Sequence, residues 1–397
     1  MKNSNPGRLF IILLLGSLTT VTPFSIDMYL PAFSQIAKDF HTSTAKVSLS
    51  ITSYFIGIAI GQLLYGPLLD KFGRKKPLYV GLIIYIAASI GCLQSQSVEV
   101  LIAFRFVQAL GGCVAMVDAM TMVRDFFPVE ESAKIFSLLM LILGLSPLLA
   151  PTAGGFIITS LGWHAVFIVL SVIVLIILLL AFFFLPEKHK PDPTVSLRFK
   201  PMITTFLEIL KTRVFYTYTL AGALSFASLF LYVAGSPVIF LEIFHVKPTV
   251  YGGIFAFLSV GFIGSNQLNI LLLRKYKSER IFQTALICQF IIAIIFFIGT
   301  VKGWYGLGGT IAVLFVLLSC LGFTYPNASA VALTPITKNM GSASALLGFL
   351  QIGIAGAASA SIGLFNSKSS APVIGMMVIT SFVALVILLV GRRKANS

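Results

Sequence analysis

The chain alternates long apolar runs with short polar breaks, and this alternation is its dominant pattern. An apolar run of about 20 residues is long enough for an α-helix to cross the hydrocarbon core of a membrane. Twelve runs meet this condition, so the pattern predicts an all-α polytopic membrane protein with twelve transmembrane helices. The predicted spans cover residues 9–31, 47–69, 77–94, 100–123, 134–158, 164–185, 214–240, 250–272, 281–300, 305–327, 342–364 and 372–391.

One polar break is longer than most of the others and separates six spans from six. It runs over residues 186–213 and contains four prolines and six basic residues. Apolar side chains recur at spacings of three and four between residues 199 and 210, which is typical of an amphipathic helix on a membrane surface. We therefore expect two pseudo-symmetric six-helix halves, over residues 1–185 and 214–397, joined by a cytoplasmic linker.

The composition excludes a soluble enzyme. Hydrophobic residues make up 57% of the chain and charged residues 10%, whereas soluble domains contain about 25% charged residues. The four cysteines lie singly in apolar runs and the four histidines are scattered, so neither a disulfide framework nor a zinc site is indicated. The sequence also lacks a GxxxxGK[ST] phosphate-binding loop. We expect no metal and no other cofactor.

Membrane topology explains the net charge of +15. When the twelve spans are threaded through a membrane, 22 of the 28 basic residues fall on the side with both chain ends, and five fall on the other side. Loops rich in Lys and Arg remain in the cytoplasm. We therefore expect a bacterial inner-membrane protein with both termini in the cytoplasm. Its basic loops face anionic lipid headgroups, and no nucleic-acid partner is needed.

The break between the second and third spans reads GPLLDKFGRKKPL. It resembles, almost position for position, the signature loop of the major facilitator superfamily. Gly66 would allow close helix approach, Gly73 a tight turn, and Asp70 would lie against a neighbouring helix N-terminus, where the dipole favours an anion. With Arg74, these residues predict a latch of the cytoplasmic gate. The matching loop over residues 271–277 keeps basic residues without an acid, so gating chemistry is expected mainly in the first half.

Two charged residues lie inside predicted spans at a similar depth. Arg105 belongs to the sequence RFVQALGG in the fourth span, which resembles the superfamily's second motif. Asp27 lies near the outer end of the first span, on a small and polar face with Gly16, Thr20 and Pro23 that is expected to line the cavity. Because an intramembrane arginine costs at least about 2.5 kcal/mol, we expect Arg105 to face a wet cavity or an acidic partner, and Asp27 is the candidate partner. Snorkelling of Arg105 and contact of Asp27 with interfacial water are the alternatives.

The fifth span contains the sequence GLSPLLAPTAGG. It resembles the antiporter motif of exporters in the superfamily, although Ala150 stands where Gly is usual. Prolines four residues apart remove backbone hydrogen bonds on one face, and paired glycines allow close helix approach. The span is therefore expected to bend and to seal against a neighbour, the alternative being kinked packing without a role in coupling. The residues concerned are Pro147, Pro151, Gly154 and Gly155.

Four stretches together resemble the bicyclomycin/chloramphenicol-resistance (Bcr/CflA) group of drug:proton antiporters. They are SIDMYLPA around Asp27, the signature loop, VRD with Arg124 and Asp125 at the end of the fourth span, and GSASALLGFLQ in the eleventh. The likeness extends over essentially the whole chain. It implies export of small drugs or metabolites driven by proton entry, with Asp27 carrying the proton and Arg105 as the arginine of the fourth span. Arg124 and Asp125 are expected at the cytoplasmic gate.

Asp118 is a second acid within the membrane. It follows Arg105 by 13 residues on the same span, so it should point away from Arg105 and lie about 20 Å closer to the cytoplasm. It is a candidate second proton site or a contact for a cationic substrate, and the alternative is a neutral or hydrogen-bonded carboxyl. Candidates for a substrate cavity are the polar and aromatic residues Tyr29, Tyr54, Gln108, Phe226, Phe230, Asn266 and Gln351.

These observations predict a monomeric proton-coupled antiporter that exports a small, apolar or amphipathic compound by alternating access. A proton-coupled or facilitative uptake carrier would share every fold-level feature and is the alternative. A non-transporting membrane protein is disfavoured, because a scaffold has no use for costly charges inside the membrane.

Overall fold

The computed structural model describes residues 7–188, 191, 199–336, 340–364 and 369–393. Over the first part of the chain the helices are α1 (Arg8–Asp27), α2 (Phe33–Asp39), α3 (Thr44–Phe72), α4 (Lys75–Leu93), α5 (Val98–Phe126), α6 (Val129–Leu161) and α7 (His164–Phe184). They are followed by α8 (Phe199–Lys211), α9 (Arg213–Pro237), α10 (Pro248–Leu273), α11 (Ser278–Val301), α12 (Leu307–Leu333), α13 (Met340–Ala360) and α14 (Ala371–Arg393). Short segments extend three of them, a 3₁₀ turn at Leu30–Ala32, a π-helical turn at Val238–Ile243 and a 3₁₀ turn at Ser361–Leu364.

Twelve segments of the described chain are long and apolar enough to cross a membrane. The first combines α1 and α2, and each of α3–α7 and α9–α14 supplies one more. The predicted all-α architecture with twelve spans is therefore confirmed, as is a helix in the connection between the sixth and seventh spans, α8. We call the side of the bundle that holds this connection, the start of α1 and the end of α14 the linker face, and the opposite side the distal face.

Local sequence sets several helix ends. The hydroxyl of Ser43 accepts a hydrogen bond from the Lys46 amide at the start of α3, and Ser97 does the same for Val100 at the start of α5. Such caps satisfy amides that have no partner within the helix. At the C-terminal end of α6, Gly162 has a φ of 81°, a conformation that glycine adopts without steric cost.

The spans pack in two groups that meet along two seams. Within the first group α5 packs against α3 and α4, and α1 packs against α6. Within the second group α9 packs against α13 and α14, and α10 packs against α12. The two seams between the groups are formed by α3 with α13 and by α6 with α10. Residues on these seams are therefore placed to respond when the two groups move against each other.

Candidate functional site

Arg105 of α5 is fully buried among the first six spans. Its guanidinium donates hydrogen bonds to the Ser25 carbonyl of α1, at 2.9 Å, and to Oε1 of Gln108, at 2.5 Å. The rings of Tyr29 and Tyr54 have centroids 4.6 and 4.2 Å from its central carbon. One cation thus ties α1, α3 and α5 together. Because Tyr29, Tyr54 and Gln108 are fully buried around it, they do not line a substrate cavity in this conformation, contrary to expectation.

Asp27 does not pair with Arg105, so the prediction of a direct pair is wrong. Ser25, whose carbonyl accepts from Arg105, precedes Asp27 by two residues, and two residues rotate an α-helix by about 200°. The two residues therefore face opposite sides of α1. Asp27 and Arg105 have similar depths along their spans, but Asp27 points to the side of α1 that faces away from Arg105. Snorkelling of Arg105 is also excluded, because its partners are all inside the bundle.

Asp27 is enclosed where the first six spans meet the last six. It is 6% exposed, and it forms no hydrogen bond or ion pair with any residue that the structure describes. It lies within electrostatic range of the hydroxyls of Tyr232 in α9 and Tyr251 in α10. The Tyr251 hydroxyl is 2.7 Å from that of Ser236, whereas the buried Tyr232 hydroxyl has no partner in the described chain. An isolated acid and an isolated hydroxyl thus lie close to the same interface.

The small and polar face of the first span does not line one continuous cavity. A Cβ on Gly16 would strike the side chain of Ile142 in α6, so this part of α1 is packed within the first group. Thr20 borders an apolar cavity between α1, α4 and α7, again within the first group. The expectation for this face is therefore wrong near the linker face. Only its distal end, with Asp27, reaches the second group of spans.

The distal half of α6 contains the residues of the predicted antiporter motif, Pro147, Pro151, Gly154 and Gly155. Its glycines allow backbone-to-backbone packing with two other helices. A Cβ on Gly154 would strike the carbonyl of Met28 at the end of α1, and a Cβ on Gly155 would lie 2.6 Å from the carbonyl of Pro248 in α10. The expected close approach to neighbouring helices is confirmed. It joins α1, which holds Asp27, to the seam between α6 and α10.

The distal face is closed by contacts between the two groups of spans. The hydroxyls of Thr52 in α3 and Ser359 in α13 are 2.9 Å apart. The rings of Phe55 in α3 and Phe230 in α9 have centroids 4.1 Å apart. The first residue of α3 also donates a hydrogen bond to Glu242, in the π-helical turn that follows α9. These contacts hold the two groups of spans together towards the distal face.

The seam between α3 and α13 changes from tight contact to open space at the glycines nearest the linker face. The two helices still touch at Gln62, whose Oε1 lies 2.5 Å from the position of a Cβ on Gly348. One turn further, a Cβ on Gly66 would meet nothing within 4 Å, and the same holds for Gly341 at the start of α13. The close approach expected at Gly66 is therefore absent in this conformation.

The signature loop contains a charge cluster centred on Arg74, which is 8% exposed. Its guanidinium donates to Asp125 of α5, at 2.8 Å, and to Asp70 of α3, at 3.1 Å. Burial opposes the charge of Arg74, but these hydrogen bonds and the negative charges around it prevail and raise its pKa above the usual value. The cluster joins α3, α4 and α5 at the linker face. Arg124 precedes Asp125 in α5.

The N-terminus of α4 is occupied by a carboxylate that the sequence analysis missed. Glu187, just beyond α7, accepts hydrogen bonds from the backbone amides of Arg74, at 3.2 Å, and Lys75, at 3.0 Å. Asp70 was expected to lie at a helix N-terminus, but it binds the Arg74 side chain instead and is over half exposed. Gly73 makes the tight turn as predicted, with a φ of 83°, and a Cβ there would lie 3.3 Å from the Glu187 carboxylate. An acid directly after an apolar span was the available signal.

Asp118 of α5 lies beneath this cluster. It is fully buried, its Oδ1 accepts a hydrogen bond from Thr121 at 3.4 Å, and its Oδ2 has no partner in the described chain. It interacts electrostatically with Arg74, Asp125 and Glu187. The structure therefore places this second acid with the charges of the signature loop, far from Asp27.

In the second group of spans, the cavity candidates are mainly aromatic or amide side chains. Phe226 of α9 is half-buried and stacks on Tyr325 of α12, with ring centroids 4.2 Å apart. Gln351 of α13 is buried and donates to Ser329 at 3.0 Å, while Asn266 of α10 is half-buried. These side chains are neutral, so they can present rings and amide groups to an apolar or amphipathic molecule.

No group of three or more His, Cys, Asp or Glu side chains within the described residues is arranged to hold a metal ion. Three of the four cysteines, Cys92, Cys113 and Cys320, are buried, and Cys288 is exposed. All four are free thiols. The polar chemistry of the site is thus that of carboxylates, hydroxyls, amides and guanidinium groups.

Comparison with known proteins agrees with this geometry. Residues 15–360 match the sequence profile of the Major Facilitator Superfamily. The chain is 34% identical to a bicyclomycin resistance protein homolog of Haemophilus influenzae, over 73% of either chain. It is 28% identical to the multidrug resistance protein MdtL of Escherichia coli, over 94% of this chain and 93% of the relative. A bacterial homolog of the human lysosomal transporter Spinster, solved in an inward-facing and occupied conformation, superposes with a TM-score of 0.74 at 14% identity, covering 98% of both chains.

The relatives and the solved neighbours are transporters rather than enzymes. Transporters of this superfamily move small molecules through a single chain of membrane-spanning helices. The twelve spans found here fit a multi-pass protein of the bacterial inner membrane. With the profile matched over most of the chain and the fold shared over nearly all of it, the protein belongs to the major facilitator superfamily of membrane transporters.

Proposed function

We propose that this protein exports a small, apolar or amphipathic drug-like compound in exchange for protons, and that Asp27 carries the proton. The observation that carries the proposal is the position of Asp27, which is buried where the two groups of spans meet and forms no hydrogen bond or ion pair with any described residue. An unpaired ionised carboxylate is costly there. Closure of the distal face therefore favours an Asp27 that has bound a proton from that side.

Alternating access supplies the rest of the cycle. Opening of the distal face breaks the contacts of α3 with α9 and α13, and this exposes Asp27 to water. In the opposite conformation, access runs from the linker face towards the aromatic and amide side chains of the second group, of which Phe226 and Asn266 are half-buried. A compound that enters on this side and displaces the proton from Asp27 links release of the proton to uptake of the cargo. Arg105 positions α1 through the Ser25 carbonyl during this motion.

Relatives support an amphipathic cargo, since their names refer to bicyclomycin, chloramphenicol and multidrug resistance. The binding region proposed here consists of Phe226, Phe230, Asn266 and Gln351. Stacking on rings and hydrogen bonding to amides suit compounds that are largely apolar with a few polar groups. We propose that the monomer is the transporting unit, with halves over residues 1–185 and 214–397 and a linker over 186–213.

The cluster around Arg74 is proposed as the latch of the gate on the linker face, with Gly66, Asp70, Gly73, Arg74, Arg124 and Asp125 as its residues. Its charges lie on α3, on α5 and at the N-cap of α4, and a Cβ on Gly66 of α3 would meet nothing within 4 Å. When the linker face closes, the exposed Asp70 is free to approach the N-terminus of α13, where a helix dipole stabilises an anion. We propose that Asp118, beneath the cluster, is a secondary acid that adjusts this latch.

We also propose that the linker face lies in the cytoplasm. This orientation is supported by the 22 basic residues counted on that side against five on the other. Single cysteines at residues 190 and 302, in a variant without the four native cysteines, test it with an impermeant thiol reagent on whole cells. We expect labelling at 302 only. Labelling at 190 only would reverse the orientation and with it the direction of export.

The decisive experiment for the function uses everted membrane vesicles with an acidic interior. A panel of candidate compounds is added outside while a fluorescent dye reports the internal pH. Exchange of a compound for protons makes the interior less acidic, whereas symport into the vesicle does not. We expect at least one amphipathic compound to dissipate the gradient with the wild-type protein.

The matched variants are Asp27→Asn and Glu208→Gln, the latter removing an exposed carboxylate of α8 outside the spans. We expect Asp27→Asn to abolish the response and Glu208→Gln to retain it. A full response from Asp27→Asn would refute the assignment of the proton to Asp27. A response of the opposite sign from the wild type would indicate an uptake carrier.

A further inference from the structure

We propose that the second group of spans carries a binding site for one anionic phospholipid at the linker face, between α10, α11 and α12. The site combines a cavity that opens beside the spans with a cluster of cations at its mouth. It lies away from Asp27 and from the seams between the two groups, so it is separate from the transport site. The proposal does not depend on the transported compound.

The cavity has a volume of about 450 Å³. It is lined mainly by apolar side chains, with Leu272 near the end of α10, Tyr276 in the loop that follows, Ile281 and Cys288 on α11, and Phe323 on α12. A methylene group occupies roughly the volume of a water molecule, about 30 Å³, so the cavity has room for about fifteen of them. Such a space suits a lipid acyl chain.

A guanidinium lies at the mouth of this cavity. Arg280, in the first turn of α11, is one of the lining residues, and its guanidinium carbon lies 5.7 Å from the ring centroid of Tyr276. Cys288 lies eight residues further along α11, which places it about 12 Å deeper in the membrane. From the linker face inwards, the cation therefore comes first and the apolar cavity second, which is the order of the headgroup and acyl chain of a lipid.

The basic side chains around the mouth have no acidic partners. Arg274, Lys275, Lys277 and Arg280 are exposed, and none forms an ion pair with any residue that the structure describes. A second, polar cavity next to the first is lined by three of them together with Glu279. Four unpaired cations against one acid leave a net positive surface, which complements a phosphate group.

The connection of the cationic surface with the apolar cavity favours a lipid over free phosphate. Inorganic phosphate would use the cations alone and would leave the cavity without an occupant. An anionic phospholipid fills both, and the inner surface of a bacterial membrane supplies it at high local concentration. Phosphatidylglycerol is therefore the probe with which the site can be tested.

The experiment is native mass spectrometry of the full chain in detergent, titrated with phosphatidylglycerol. Arg280→Gln removes the cation at the mouth and Cys288→Trp fills the cavity, while Lys302→Gln removes a cation at the opposite end of the same helix. We expect binding of the first lipid to weaken about fivefold in Arg280→Gln, since one basic residue near the surface contributes about that much. Cys288→Trp should weaken it at least as strongly, and Lys302→Gln should match the wild type.

Further arms identify the ligand. Arg280→Lys should bind nearly as well as the wild type, which separates loss of charge from misfolding. Phosphatidylethanolamine should bind several-fold more weakly, and millimolar inorganic phosphate should not displace the lipid. Equal binding by Arg280→Gln, Cys288→Trp and Lys302→Gln would overturn the proposal. Displacement by phosphate would also overturn it, since the site would then bind free anions.

Discussion

The two groups of spans bury different kinds of polar side chain. The first six spans carry the buried side chains of Asp27, Arg105 and Asp118. In the last six, the buried polar side chains within the described residues are all amides and hydroxyls. Gln289, for example, accepts a hydrogen bond from Ser225 at 2.6 Å and is fully buried. Among the described residues, buried charged side chains thus lie in the first group, and neutral groups that can bind cargo or fix packing occupy the second.

The two equivalent loops at the linker face show the same division. In the loop between α3 and α4, Arg74 is bound by Asp70 and Asp125, while Glu187 holds the backbone. In the loop between α10 and α11, cations such as Arg274 form no ion pair with any described residue. Two loops with similar basic patterns therefore differ because one carries acids and the other does not. The first is built for contact within the protein, and the second is available to an external anion.

Among the variants that test this comparison, Arg105→Met in the first group is expected to reduce stability and transport the most. Loss of the guanidinium leaves the Ser25 carbonyl and Gln108 without their donor and removes the cation between two tyrosine rings. We expect a loss of about 3 kcal/mol in the free energy of unfolding, since each hydrogen bond to a charged group contributes about 1.5–3 kcal/mol. Thermal unfolding in detergent measures it, and transport should fall at least tenfold.

The matched change in the second group is Gln289→Leu, which removes an uncharged side chain at a comparable burial. Its hydrogen bonds to Ser225 and Ser228 should contribute only about 1 kcal/mol, as is usual between membrane helices. Proton exchange should remain. If Gln289→Leu destabilises the protein as much as Arg105→Met, buried charged and buried neutral side chains contribute equally to the stability of the two groups.

The second prediction compares the two loops directly, through Arg74→Gln and Arg274→Gln. Arg74 holds two acids of different helices, so its loss leaves Asp70 and Asp125 to repel each other. We expect transport by Arg74→Gln to fall about tenfold, or ~1.4 kcal/mol. Arg274 is an exposed cation, and its loss should change transport less than twofold. Equal losses in the two variants would show that both loops act by basic charge alone.

Much of the fold could be predicted from the sequence because a membrane span is a local property. About 20 apolar residues form a helix whatever their neighbours are, so the number of spans followed from the pattern of apolar runs. The turn at Gly73 was likewise predictable, because it depends on one residue. The burial of Arg105 followed from the cost of its charge in lipid.

The partners of the charged residues could not be predicted in the same way. The position of a residue along a span gives its depth in the membrane. The direction in which its side chain points depends on how the helices pack, and a span that is apolar on all sides gives little indication of that direction. This is why Asp27 and Arg105 were predicted to pair. Glu187 lies 113 residues from its amide partner at Arg74, and no local pattern marks such a distance.

The smallest predicted effect concerns Glu187→Gln, which tests whether the first loop is held by its acids. A neutral amide can still accept hydrogen bonds from the Arg74 and Lys75 amides, but it loses the attraction between a carboxylate and a helix N-terminus, about 0.3–1 kcal/mol at an exposed site. We therefore expect transport to fall about two- to fivefold. In Glu187→Ala, which removes the acceptor as well, transport should fall further.

Accessibility of a cysteine at position 66 to a thiol reagent is the second measurement, because a loosened loop should change how long the linker face stays open. The control is Glu279→Gln in the first turn of α11, whose carboxylate forms no hydrogen bond or ion pair with any described residue, and transport should be unchanged. Wild-type transport and unchanged accessibility in both Glu187 variants would show that the α4 N-terminus needs no carboxylate and that Arg74 with its two acids is sufficient to hold the loop.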